Sequence, residues 1–207
     1  MSNIHNISAT VILRNHQVIL NEKVVFETAE DLELSLFLKA CYQDLEIDYG
    51  KFYKMDLLSK LGFIATEYLL KDQKLNPETA LILQNSAGSL ETDTNYQASI
   101  SDKNAFPSPS VFVYTLPNIV LGELSIRHQL QTENAFFISE KFEAPFLIVY
   151  LQNLLSTQKA EAAICGWLDL DKDGYNVFLS LITKEEKGKA LTAENLKNYY
   201  EQFKTRA

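Results

Sequence analysis

A few groups of residues have types and spacings that suggest chemistry. Asp169, Asp171, Asp173 and Gly174 open like a calcium loop, with carboxylates at alternate positions and a glycine sixth. Calcium also needs a bidentate acid at the twelfth position, where this chain has Ser180, and helices on both flanks. Both flanks read as strands and Asp-Gly is a strong hairpin signal, so a turn is expected. The histidines are His5 near a terminus, His16 in an expected turn and His128 late in an expected helix. No H-x-x-E-H, H-E-x-x-H or Cys/His cluster exists, so no metal is expected. Residues 86–93 (SAGSLETD) follow an apolar run in the manner of a phosphate cradle, but they hold one glycine and no following lysine. Ser139 lies in ISEKF rather than G-x-S-x-G, which gives no nucleophile elbow. Nothing calls for a cofactor.

The stretch NAFFISEKFEAPFLIVYLQNLL, from Asn134 to Leu155, has the build of a catalytic junction without an obvious reactive group. Ala135–Ser139 reads as a strand, Glu140–Glu143 as a tight charged turn and 144–155 as a helix. Pro145 is tolerated in a first turn. The run Phe146-Leu147-Ile148-Val149-Tyr150-Leu151 is apolar on every side, so the helix is expected to be buried all round.

Other elements must hold this junction. Residues 9–13 and 17–20 read as a hairpin around Arg14-Asn15-His16, with 23–27 as a third strand. A helix is expected from Glu30 to Tyr42, with Leu34, Phe37, Leu38 and Cys41 on one face, then a loop at 49–54. A clearer helix carries Met55, Leu58, Leu61, Ile64, Ala65 and Tyr68 at helical spacing. Residues 79–85 read as a buried strand, 102–110 as a Pro/Ser-rich loop, and an apolar helix follows from near Leu116-Pro117. Residues 161–170 and 175–183 read as strands. A final amphipathic helix runs from Thr192, its cap, to about Lys204, with Leu191, Leu196, Tyr199, Tyr200 and Phe203 inward. Strands alternating with helices give an α/β layered fold, a mixed β-sheet packed between helices, in a single domain over 1–207.

The 207 residues are 46% hydrophobic and 22% charged, which suits a soluble globular chain with a sizeable core. The net charge of −8 is uneven: residues 184–207 hold six Lys/Arg and four Glu, leaving the rest at −10. Nucleic acid and anionic membranes need a basic surface and are not expected partners. The N-terminus has neither the basic segment nor the long apolar core of a signal peptide, and no apolar run approaches a membrane span. Cys41 and Cys165 both sit in apolar surroundings; a disulfide stays open, and free thiols in a reducing cytoplasm are the reading adopted.

Three stretches, KFYKMDLLSKLGFIATEYLL, SPSVFVYTLPNIVLGELSIRHQL and NAFFISEKFEAPFLIVYLQNLLSTQKAEAAICGWLDL, taken in order and spacing, resemble the N-terminal half of β-ketoacyl-[acyl-carrier-protein] synthases. The landmarks are the KMD before a helix, S-P-S-x-F before T-L-P-N, and the G-x-x-D of Gly166 and Asp169. The likeness covers about residues 48–183 and implies a thiolase-like half. In that family the strand–turn–helix carries a nucleophilic cysteine after V-S. Ile138-Ser139 match the V-S, and the cysteine falls on Phe142. A thiolate there would be stabilised by the helix dipole, and backbone N–H groups would hold an oxyanion. Phenylalanine has no nucleophilic atom. Glu140 and Glu143 add negative charge where thioester and enolate chemistry would form more. The family's two catalytic histidines lie in a C-terminal half beyond this chain's span, so no catalytic residue is assigned. The resemblance also implies that Ala135, Phe136, Phe137, Ile138 and Ser139 form a dimer interface, strand against twin strand.

Three functions follow as expectations. The first is a non-condensing auxiliary subunit, chain-length-factor-like, paired with a catalytic ketosynthase subunit of fatty-acid or polyketide biosynthesis. The second is a homodimer that binds an acyl group or acyl carrier protein without catalysis. Acidic carrier proteins would be repelled by this acidic chain, which counts against direct docking. The third is an enzyme using Ser139 or Glu143 as base.

Overall fold

The computed structural model describes residues 5–71, 73–101 and 106–203. β1 (Asn6–Arg14) and β2 (Gln17–Leu20) form the expected hairpin, and β3 (Lys23–Glu27) adds the third strand. Asn15 and His16 turn it with φ of 48° and 56°. α1 (Leu34–Asp44) begins later than Glu30, because the chain first makes a turn in which the Leu32 N–H donates to the Ala29 carbonyl. It buries Phe37, Leu38, Cys41 and Tyr42. Residues 50–54, expected as loop, form a 3-10 turn that draws Phe52 into the core to stack on Tyr42, ring centroids 4.4 Å apart.

α2 (Leu57–Leu69) starts where the Asp56 carboxylate accepts the Ser59 N–H at 3.0 Å. β4 (Thr79–Asn85) is buried at every residue. α3 (Leu90–Ser99) was not expected; its sequence, LETDTNYQAS, lacks an apolar stripe and buries just Thr92. Glu91 and Asp93 complement the dipole of its first turn. α4 (Pro109–Val113) follows, while residues 102–105 of the expected Pro/Ser-rich loop lie outside the described residues. α5 (Ile119–His128) begins after Pro117, with Asn118 before it.

β5 (Asn134–Ile138), α6 (Ala144–Ser156), β6 (Ala162–Asp171) and β7 (Gly174–Thr183) follow the expected order, and β8 (Lys189–Ala190) leads into α7 (Ala193–Glu201). Thr192 caps α7, its hydroxyl accepting the Asn195 N–H at 3.1 Å. Leu196, Tyr199 and Tyr200 face inward as expected, but Phe203 is 45% exposed, since the helix ends before it and φ there is +59°. Lys204 lies outside the described residues.

The strands form one mixed sheet, ordered β3-β2-β1-β7-β6-β4-β5, with β8 on β1. β4 pairs parallel with both β5 and β6, and the remaining pairs are antiparallel. One face packs on α1, α2 and α5; the other packs on α6 and α7. α6 corrects an expectation: Phe146 and Val149 are 43% and 70% exposed. The sheet and α7 cover two sides of the helix and leave a third apolar side open.

Glu67 joins α2 to α5. Its carboxylate accepts from Arg127 at 2.8 Å and 3.3 Å and lies 3.3 Å from His128 Nε2. Burial pushes the Glu67 pKa up, but the close contact with His128 and the hydrogen bonds from Arg127 outweigh it, so the group sits below its ordinary value. A depressed carboxyl pKa stabilises the fold above the unfolded-state value of about 4.3, and that contribution is lost as pH falls through the folded-state value. Urea unfolding as a function of pH should therefore show a stability loss below about pH 4 that Glu67→Gln reduces. An unchanged acid limb in the variant would remove Glu67 from this role.

Candidate functional site

The junction between β5 and α6 is the site that the sequence pointed to, and it is a strand-to-helix corner. The Ser139 N–H donates to the Asn85 carbonyl at 2.9 Å, which carries β5 pairing one residue past its end. Ser139 Oγ donates to the Lys141 carbonyl at 2.9 Å and folds the turn. The Glu143 N–H, at the helix entrance, donates to the buried Gln84 Oε1 at 3.1 Å. Lys141 Nζ lies 3.8 Å from Glu143 Oε1 on the exposed side.

Phe142 points from this turn toward the sheet. Its ring centroid lies 4.4 Å from Tyr200 of α7, 5.7 Å from Phe178 of β7 and 6.3 Å from Trp167 of β6. Phe178 is fully buried, and Trp167 and Tyr200 are nearly so. The corner is thus filled by an aromatic box, floored by the sheet and roofed by the last helix. Its polar rim is Arg14, Asn176 and Tyr200. Arg14 Nε donates to Asn176 Oδ1 at 2.6 Å, and Asn176 Nδ2 donates to the Tyr200 hydroxyl at 3.1 Å. This box and rim were missed by sequence reasoning. The available signal was an arginine at the end of an apolar strand, in VILR.

The carboxylate of Asp169 accepts from the Ser86 N–H at 3.0 Å, Ser86 Oγ at 2.8 Å and the Ala87 N–H at 3.3 Å. The backbone donors that a phosphate would need after β4 are thereby taken by an internal anion. Asp171 and Gly174 close the β6–β7 hairpin, with the Asp173 N–H on Asp171 Oδ1 at 2.7 Å, so the calcium-like motif is the expected turn. His5 precedes β1, His16 lies in the β1–β2 turn and His128 ends α5, so the three do not form a cluster. His16 packs edge-on to Phe37 and Tyr175 at 5.0 Å and 5.8 Å.

Cys41 and Cys165 are free and lie on opposite faces of the sheet, which closes the disulfide alternative. Burial pushes both thiols up, Cys165 to about 12, so neither is a ready nucleophile. Among the described residues no helix is long and apolar enough to cross a membrane.

Among the described residues, the strand Asn134–Ile138 is the last in the sheet and pairs with β4 alone. Glu133 O accepts from Leu81 N–H, and Ser139 N–H donates to Asn85 O. By the alternation of a parallel ladder, the odd-numbered residues bond toward β4 and Asn134, Phe136 and Ile138 aim their N–H and C=O groups outward. Ala135, Phe136, Phe137 and Ser139 are half-buried, and Ile138 is 56% exposed. Phe137 meets Phe146 and Tyr150 at 4.8 Å and 5.3 Å, so the edge runs into the open side of α6.

No protein-family model matches the chain, and no curated protein matches it. Solved structures do. The ishigamide ketosynthase/chain length factor superposes with a TM-score of 0.62 and 16% identity, over 90% of this chain and 64% of that one. A ketosynthase in complex with its chain length factor from Xenorhabdus doucetiae gives 0.55 and 11% identity, over 92% and 87%. A type II PKS acyl-carrier protein in complex with its ketosynthase bound to the hexaketide gives 0.53 and 16%, over 87% and 62%. The chain spans less than two thirds of the first and third of these. The α/β fold is that of ketosynthase-related, thiolase-like structures.

Proposed function

We propose that the chain is a non-condensing, ketosynthase-like subunit of a fatty-acid or polyketide system, acting beside a catalytic ketosynthase as a chain-length factor does. Phe142 carries this reading. It stands at the strand-to-helix corner where the resembled family places its cysteine, and its ring is packed among Tyr200, Phe178 and Trp167. A phenyl ring offers no electron pair for acyl transfer, and Glu140 and Glu143 oppose further negative charge there. Residues 1–207 form one such unit, and it works in the cytoplasm, where its two buried thiols stay reduced. That solved neighbours of this fold are complexes of ketosynthase with chain length factor, or with an acyl-carrier protein, supports the reading without fixing the acyl substrate.

The partner docks on β5. Co-expression with a ketosynthase from the same operon should give a complex that elutes as one species with both chains. Incubation of this chain alone with acyl- and malonyl-carrier protein should leave its intact mass unchanged. Separate elution would sink the auxiliary role; an acyl adduct would sink the assignment of Phe142.

The free edge of β5 also favours a second reading, a homodimer that binds an acyl group or carrier protein. Outward groups on Asn134, Phe136 and Ile138 are self-complementary about a two-fold axis at Phe136. Asn134 then faces Ile138 of a second copy, with about six main-chain hydrogen bonds across the axis. Native mass spectrometry of the chain alone separates the two readings: a dimer carrying lipid or carrier favours the second.

A further inference from the structure

Arg14 is a buried cation, 7% exposed, and most of its bonding goes to the last turn of α7. Nη2 donates to the Tyr200 carbonyl at 2.9 Å and Nη1 to the Gln202 carbonyl at 2.8 Å, and the guanidinium lies 5.0 Å from the Tyr200 ring centroid. The Tyr200 ring fills a slot bounded by Phe142, Phe178 and Trp167, at 4.4, 5.9 and 6.4 Å. The chain therefore inserts into this slot an apolar ring joined to oxygens that a cation holds. Carbonyls at a helix end carry partial charge, whereas a carboxylate carries a full one and matches the guanidinium fork bidentately. Burial pulls the Arg14 pKa down, and the neighbouring Tyr200 and Glu201 oppose that pull from the same turn.

We propose that the slot between Arg14 and the aromatic box is a binding site for an amphipathic carboxylate, an alkyl chain ending in one carboxyl group, and that the last turn of α7 occupies it as an internal competitor. The chain enters among Phe142, Trp167 and Phe178, and the carboxylate takes the Nη groups that the Tyr200 and Gln202 carbonyls hold in the closed state. Binding requires this turn to lift, which exchanges the Arg14 bonds, the Asn176–Tyr200 bond and the Gln202 Nε2 bond to Glu22 Oε1 at 2.7 Å for contacts with the ligand. The other end of α7 stays tied by the Thr192 cap and by β8 on β1. The site does not depend on which partner covers β5.

Trp167 is the sole tryptophan of the chain and lines the slot, so a brominated ligand reports contact by quenching its emission. ω-Bromoundecanoic acid is expected to quench the wild-type protein saturably. Tyr200→Ala, which removes the competing ring, should bind about tenfold more tightly, and Arg14→Met should lose saturable quenching. ω-Bromoundecanol, which lacks the charge, should bind about tenfold more weakly than the acid. In the wild-type chain, undecanoic acid should speed amide exchange in residues 199–202 and leave β6 and β7 unchanged. The wild-type exchange comparison decides the matter even where a variant fails to fold. Equal quenching by acid and alcohol, or exchange at the last turn of α7 that undecanoic acid does not alter, overturns the site.

Discussion

Gly166→Ala is expected to cost about 4 kcal/mol or more, which for a chain of this size lowers the melting temperature by about 10 °C or prevents soluble expression. Gly166 sits in the middle of β6 opposite Leu179, with φ at +157°. A Cβ there would lie 1.9 Å from the Phe178 carbonyl oxygen and 2.9 Å from its carbon. These are backbone atoms of a paired strand, so no side-chain rotation relieves the clash, and the ladder between β6 and β7 must separate. Both strands supply walls of the aromatic box, Trp167 and Phe178, so the damage reaches the corner at Phe142 as well. Gly122→Ala is the internal comparison. Gly122 lies on the exposed side of α5 with nothing within 4 Å of an added Cβ. That substitution should stabilise by up to about 1 kcal/mol through helix propensity. Equal melting temperatures for the two variants would show that close approach at Gly166 is not what the fold requires.

Ile138→Pro should weaken pairing through β5 by about a hundredfold or more while the subunit itself stays folded. The outward N–H of Ile138 is not needed within the chain, so proline at this edge position removes a donor that only a partner would use. The side chain is 56% exposed, which keeps the internal packing cost small. In a two-fold pair the substitution strikes both ends of the ladder, and the proline ring also blocks close approach of the second strand. Light scattering across a dilution series measures the effect, and a melting temperature within a few degrees of wild type separates lost pairing from lost folding. Ile138→Val should pair as wild type does. A variant that still assembles at the same concentration would move the interface away from β5.

Local chemistry made much of this fold legible. Asp171-Lys-Asp-Gly174 reads as a hairpin because aspartate and glycine suit its turn geometry, and the β6–β7 register closes on those residues. β4 reads as a buried strand from seven residues, TALILQN, whose burial is unbroken. α3 was not legible: with one buried residue, it is held by contacts such as Ser89 Oγ with the Thr115 carbonyl and Thr92 Oγ1 with Asp56 at 2.9 Å, and these leave no apolar period. α6 misled in the opposite direction. Its composition states that every side avoids water, but composition does not say whether cover comes from the same chain.

The candidate site divides along the same line. That residue 142 is a phenylalanine at a strand-to-helix corner, and so without a nucleophile, followed from residue types and local periodicity, since reactivity belongs to the side chain and the corner to its neighbours. That the ring is boxed by Trp167, Phe178 and Tyr200, and that Arg14 grips the end of α7 from 186 residues away, only the tertiary structure decided. Such contacts depend on how two sheet strands and a distant helix come together in space, and nothing in the spacing along the chain encodes that distance.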